Sequence, residues 1–180
     1  VFELAVLIKS KFSGMDLRGM KFDNTQFMNA DLSGADLSGA SLAQCNFKDA
    51  NLEGANLSKA FVGRALFVGA KLGKANLKGA KLGQSVMMDA DLSLCDATGA
   101  DMQQCILKKA RCVGARFTSA DLTYADFTHA DVTRADFSKA TLFRARFHRT
   151  KEEGTLFTDR STALGDDENL AIAEDFVQTA

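Results

Sequence analysis

Small residues recur at every fifth position from Ala30 to Ala145, and two places after each comes an apolar residue, with no insertion anywhere between. The register is clearest in Ala30-Asp31-Leu32-Ser33-Gly34, Ala35-Asp36-Leu37-Ser38-Gly39, Ala50-Asn51-Leu52-Glu53-Gly54 and Ala135-Asp136-Phe137-Ser138-Lys139. Read outward, it runs from Ala5 to Asp159, or 31 units of five. Cys45, Ser85, Cys95 and Cys105 replace Ala as near-isosteres, while Ala97, Cys112 and Glu152 interrupt the central apolar position. A period of five fits neither a helical face, at about 3.6, nor a strand, at about 2. The chain must therefore turn a corner in every unit, offering two inward side chains per side of a tube.

The A-(D/N)-(L/F)-(S/T)-(G/x) unit resembles the pentapeptide-repeat proteins. That resemblance implies an all-β fold, a right-handed quadrilateral β-helix with four units to a coil. Residues 20 apart should then stack. One central column reads Phe27, Phe47, Phe67, Met87, Leu107, Phe127, Phe147, and another reads Leu17, Leu37, Leu57, Leu77, Ala97, Phe117, Phe137, Phe157. Such ladders would fill a rod of about 35–40 Å, given ~4.8 Å between stacked strands. An outward column, Lys11, Asp31, Asn51, Lys71, Asp91, Arg111, Asp131, Lys151, alternates in sign at most steps, which favours the four-unit coil independently.

Composition adds bounds. The chain has 180 residues, 46% of them hydrophobic and 8% aromatic, enough for one domain with a core. Proline is absent, as expected where nearly every coil donates hydrogen bonds to its neighbour. No stretch approaches a membrane-spanning length. The start, Val1 to Ile8, is apolar but lacks a basic leader and a cleavage signature, so a signal peptide is not expected; the missing initiator Met suits a fragment with an upstream domain. Cys45, Cys95, Cys105 and Cys112 fall at core positions out of disulfide reach and read as inert thiols, which points to a reducing cytoplasmic setting.

Catalytic machinery is not in evidence, and the reading is of a non-enzyme with no cofactor and no metal. The two His residues, His129 and His148, occupy outward positions, the first with no ligand partner at i+3 or i+4 and the second flanked by Arg146 and Arg149, and read as surface residues. Asp121, Asp126, Asp131 and Asp136 precede central residues, where a short carboxylate accepts hydrogen bonds from turn amides. Glycines such as Gly34 and Gly54 fall at corners.

Function is sought in departures from the outward pattern. Leu66, Val86 and Ile106 stack where Asp or Asn is usual, and Val68 and Met88 lie in the next column. These five make an exposed apolar stripe, to be covered by a protein partner or a second copy, or else by the tail or a neighbouring domain. Basic residues (Lys59, Arg64, Lys71, Lys74, Lys78, Lys81) meet no acid between Glu53 and Asp89, but are spread over several sides, and the only tyrosine is Tyr124, so a nucleic-acid site is not expected. The resemblance also admits a DNA-mimicking, DNA gyrase-binding protein of the quinolone-resistance type as the alternative. Such a mimic should be strongly acidic, whereas the tail from Arg160 carries net −4 of the chain's −1 and leaves the repeats at +3.

Regularity fails at Lys151-Glu152-Glu153-Gly154, dividing the repeats (1–159) from an acidic linker and helix (160–180). Asp166 or Asp167 can cap a helix in which Leu170, Ala173 and Val177 share one face with Ile172 and Phe176 beside it, a capping helix expected over the last coil to hide its open edge. The run Ala125 to Arg149, the Glu-Glu-Gly break and the segment Leu164 to Phe176 further resemble the C-terminal repeats of accessory proteins of type VI secretion. The resulting expectation is a bacterial, cytoplasmic protein–protein interaction scaffold, serving secretion assembly or effector loading.

Overall fold

The computed structural model describes residues 2–178. Each unit sets one residue against its counterpart 20 positions on, as in the parallel series Lys11, Asp31, Asn51, Lys71, Asp91, Arg111, Asp131, Lys151. Three hydrogen bonds hold each step: the Leu32 N–H donates to the Asn51 carbonyl at 2.7 Å, the Gly34 N–H to the Glu53 carbonyl at 2.9 Å and the Asn51 N–H to the Ala30 carbonyl at 2.9 Å. Because every coil repeats this exchange, the sides of the tube are ladders of single bridges. Among the described residues, two consecutive residues pair only in β1 (Asp136–Phe137) and β2 (Leu156–Phe157), parallel and in register. The result is the right-handed quadrilateral β-helix of four units per coil.

Corners follow from one backbone setting. The Ala35 N–H closes a turn on the Leu32 carbonyl at 3.0 Å, with Gly34 at φ 64°. Each fifth residue from Leu4 to Gly154 has positive φ, including Lys59 at 57° and Arg134 at 56°. Side-chain-bearing residues avoid this region because Cβ crowds the following carbonyl. Here the ladders above and below over-determine the turn, so the strain is tolerated.

The interior is filled by the four central columns. Phe27 stacks on Phe47 at 5.1 Å and Phe47 on Phe67 at 4.8 Å, with ring planes 1° and 9° apart. Near the C-terminal end, Phe127 stacks on Phe147 at 5.1 Å and meets Phe137 of the next column edge-on at 5.5 Å. Alanine at the other inward position lets the square close tightly. Three of its polar substitutes find an acceptor one coil back: the Cys45 thiol donates to the Phe22 carbonyl, the Ser85 hydroxyl to that of Val62 and the Cys105 thiol to that of Leu82, at 3.0, 3.0 and 3.2 Å. All four cysteines are buried and free, and burial pushes the thiols of Cys45, Cys95 and Cys105 up to about 12, which makes them poor nucleophiles.

The C-terminal end departs from expectation. After Phe157 the chain folds Arg160 back so that its guanidinium lies 5.0 Å from the Phe147 ring centroid and 5.1 Å from that of Phe157, and it pairs with Glu152. Glu152 breaks the central apolar pattern because no further coil covers it. Its carboxylate serves as counter-ion to the residue that seals the aromatic columns, and it also accepts from the Thr150 hydroxyl at 2.6 Å. Leu164 adds one more bridge, to Arg146. The helix α1 (Glu168–Gln178) then runs along the side of the tube. Closure of the end therefore belongs to Arg160, where the sequence pattern assigned it to the helix. Among the described residues no helix is long and apolar enough to cross a membrane.

Candidate partner-binding face

The stripe residues meet on one side of the tube, built on the Phe27-to-Phe147 column. Asn46, Leu66, Val86, Ile106, Asp126 and Arg146 follow one another in a single bridged ladder. Leu66 is 42% exposed, and Val86, Ile106, Val68 and Met88 are half-buried against their neighbours. In many other units this position carries a carboxylate or amide that accepts from the amide two residues on: Asp31 from Ser33 at 3.1 Å, Asp96 from Thr98 at 3.1 Å, Asp126 from Thr128 at 2.9 Å. The Asp residues are thus turn formers, and these hydrogen bonds, from side chain and backbone of Ser33, hold Asp31 below the usual carboxylate range. Leu66, Val86 and Ile106 cannot accept such a bond. Three successive coils give up a turn hydrogen bond, worth about 0.5–1.5 kcal/mol each, for apolar surface.

The same side changes character one coil further on. Asp126 replaces the aliphatic residue, and pairs with Lys108 at 3.3 Å and Arg146 at 3.9 Å. Although burial pushes its carboxyl up, the Thr128 hydrogen bonds and the Lys108 charge hold it below the ordinary value. Above it lies α1, fastened by carboxylates. Glu174 reaches His129 Nε2 at 3.0 Å and His148 Nε2 at 3.4 Å. Arg149 contacts Asp175 at 2.8 Å and the Ala171 carbonyl at 3.0 Å, while its own amide donates to Asp166 at 2.7 Å. The His129 hydrogen bond is the main reason that the Glu174 carboxyl sits below its usual range. Between helix and tube a cavity of about 750 Å³ is lined by Lys108, Lys109, Thr128, His129, Arg146, Leu170, Ala173 and Glu174.

This seat corrects the reading of His148 as a surface group and leaves that of His129 standing. His148 is fully buried under α1, whereas His129 is exposed beside it, their ring centroids 5.8 Å apart. They lie 19 residues apart, which in a 20-residue coil makes them diagonal neighbours on one side. A search at helical ligand spacing misses that relation. His129, His148 and Glu174 also bring three ligand atoms within 4.8 Å of one another, a set the sequence reading did not foresee. Along α1, Leu170, Ala171 and Glu174 are the half-buried positions, whereas Ile172 is 69% exposed and Ala173 is exposed. The side chains of Phe176 and Val177, assigned to the helix's apolar face, lie outside the described residues.

No curated protein matches the chain significantly. Among solved structures, similarity extends to HetL, a pentapeptide repeat protein involved in heterocyst differentiation regulation in the cyanobacterium Nostoc sp. strain PCC 7120, at 21% identity over 91% of this chain and 88% of that one, with a TM-score of 0.34. QnrB1, a plasmid-mediated fluoroquinolone resistance protein, is 19% identical over 96% and 95% of the two chains, TM-score 0.39. A pentapeptide repeat protein of the Arabidopsis thaliana thylakoid lumen is 27% identical over 69% of each, TM-score 0.25. None of these likenesses bears on what this chain binds. The pentapeptide-repeat profile matches in eight copies, over residues 25–62, 45–84, 85–123 and 120–159, three quarters of the sequence, and with the four-unit coil described above it shows that the chain belongs to the pentapeptide-repeat family.

Proposed function

We propose that this protein is a non-enzymatic scaffold that captures a protein partner along the Leu66–Val86–Ile106 ladder, with Val68 and Met88 at its margin. The observation that carries this reading is the exchange of turn-forming carboxylates for aliphatic side chains in three stacked coils, where the repeat itself asks for Asp or Asn. The partner should present an apolar ridge to this ladder. The resemblance of the segment from Ala125 to Phe176 to type VI secretion accessory proteins supports a place in secretion assembly or effector loading.

The double substitution Val86→Asp, Ile106→Asp supplies the test. It should abolish capture of the partner while far-ultraviolet circular dichroism stays that of the parent. A light-scattering mass that doubles for the parent and halves for the variant would make the occupant a second copy. Unchanged mass together with unchanged pull-down overturns the stripe as a binding face. A gyrase supercoiling assay separates this reading from the DNA-mimic alternative.

A further inference from the structure

We propose that His129, His148 and Glu174 form a binding site for a divalent cation of the zinc class, one that ties α1 to the side of the β-helix. The donor set comes from three distant points of the chain, two from successive coils and one from the helix that returns over them. Glu174 lies 3.0 Å from His129 Nε2 and 3.4 Å from His148 Nε2, and all three ligand atoms lie within 4.8 Å of one another. A tetrahedral ion holding nitrogens at 2.0–2.1 Å and oxygen at 2.0–2.2 Å spaces its ligands roughly 3.3 Å apart. The two short distances run to different carboxylate oxygens, Oε1 to His129 and Oε2 to His148, so the shell closes by a rotation of the carboxylate and of the His129 ring, whose side chain is one-third exposed. Two imidazoles with one carboxylate suit Zn²⁺, Co²⁺ or Ni²⁺, and not Mg²⁺ or Ca²⁺, which prefer all-oxygen shells.

Protons balance within the site. His148 Nδ1 accepts the Asp167 N–H at 3.0 Å, so its proton sits on Nε2, facing Glu174. On binding, both rings ligate as neutral imidazoles through Nε2, each with its proton on Nδ1. For His148 this takes the acceptor away from the Asp167 N–H, which must swing off the ring, and the Nδ1 proton turns toward Asp166 Oδ1, 3.7 Å away, a carboxylate of the kind that orients ligating histidines. Arg149 Nε, 3.5 Å from Glu174, yields the carboxylate to the ion and keeps its contacts with Asp175 and Ala171. The fourth position opens on the cavity and takes water. Lys108, Lys109 and Arg146 line that cavity and lower the affinity below that of a neutral setting. No competing thiol site exists, since all four cysteines are buried.

The chain stripped with a chelator and titrated with Zn²⁺ should bind one equivalent. Co²⁺ in its place should give visible d–d bands of tetrahedral intensity. His129→Ala and Glu174→Gln should each weaken binding ~10-fold or more, and Asp166→Asn by about 10-fold. Glu174→Gln retains hydrogen bonding to both rings, so its loss of binding reports ligation and not undocking. Zn²⁺, but not Mg²⁺, should slow chymotryptic cleavage between Leu164 and Phe176, with the dichroism of the β-helix unchanged in every variant. Absence of Zn²⁺ binding at micromolar protein overturns the proposal, as does binding that survives both His129→Ala and Glu174→Gln.

Discussion

On one side of the tube, two stretches share a backbone and differ in everything the backbone does not fix. Coils carrying Leu66, Val86 and Ile106 expose aliphatic surface; those carrying Asp126 and Arg146 are charged and lie beside a helix of the same chain. Beneath both runs a continuous column, Phe67, Met87, Leu107, Phe127, Phe147, all of it buried. The repeat thus separates two tasks by direction: inward residues set stability, and outward residues are free to specialise coil by coil. The covered half also shows what this side accepts, namely a short helix held by carboxylates.

Core truncation should give the largest effects and treat both halves alike. Phe127→Ala, beneath the covered half, should cost about 3–5 kcal/mol, and Met87→Ala, beneath the open half, about 2–5 kcal/mol, in denaturant unfolding. A much smaller cost at Met87 would mean that the open half is loosely packed as well as exposed.

Acid should separate the halves. Hydrogen bonds from Thr and Ser neighbours hold Asp126, Asp131 and Asp136 below the ordinary carboxylate range. A depressed folded value means that the stabilisation is complete above the unfolded value, about 3.9, and is lost as the pH falls through the folded one. The band between Glu53 and Asp89 has no carboxylate to protonate. Hydrogen exchange below about pH 4 should therefore lose protection first around residues 121–138 and last around 60–88.

Sealing of the C-terminal end gives an intermediate effect. Arg160→Ala removes a cation lying over two rings and the partner of Glu152, and should cost about 1–2 kcal/mol with fraying confined to the last coil. Smallest for stability is Val86→Asn, which restores the usual outward residue and should shift unfolding by no more than about 0.5 kcal/mol while weakening partner capture. A large loss of stability there would mean that the stripe supports the fold.

The tube was legible in the sequence because a corner in every fifth residue leaves a period nothing else produces, and 20-residue columns then placed Leu66, Val86 and Ile106 together without further information. The break at Glu152 was legible as a break. Its meaning was not, since it depends on Arg160, eight residues on and past the last strand, folding back over the end. His148 was misjudged for a related reason: the ladder encodes contacts at a separation of 20, but the helix that buries it returns from 26 residues away. Repetition specifies what each coil does to the next and is silent about a segment outside it.

Four units to a coil also make the molecule behave as a gear. Deleting five residues from the middle coils would leave each ladder intact in kind but rotate everything downstream by a quarter turn, moving Asp126, His129, His148 and the seat of α1 onto an adjacent side, away from Leu66. Deleting twenty would shorten the rod by one tooth and restore the alignment. Lengths that evolution or an engineer can add here without separating the stripe from the helix therefore come in whole turns.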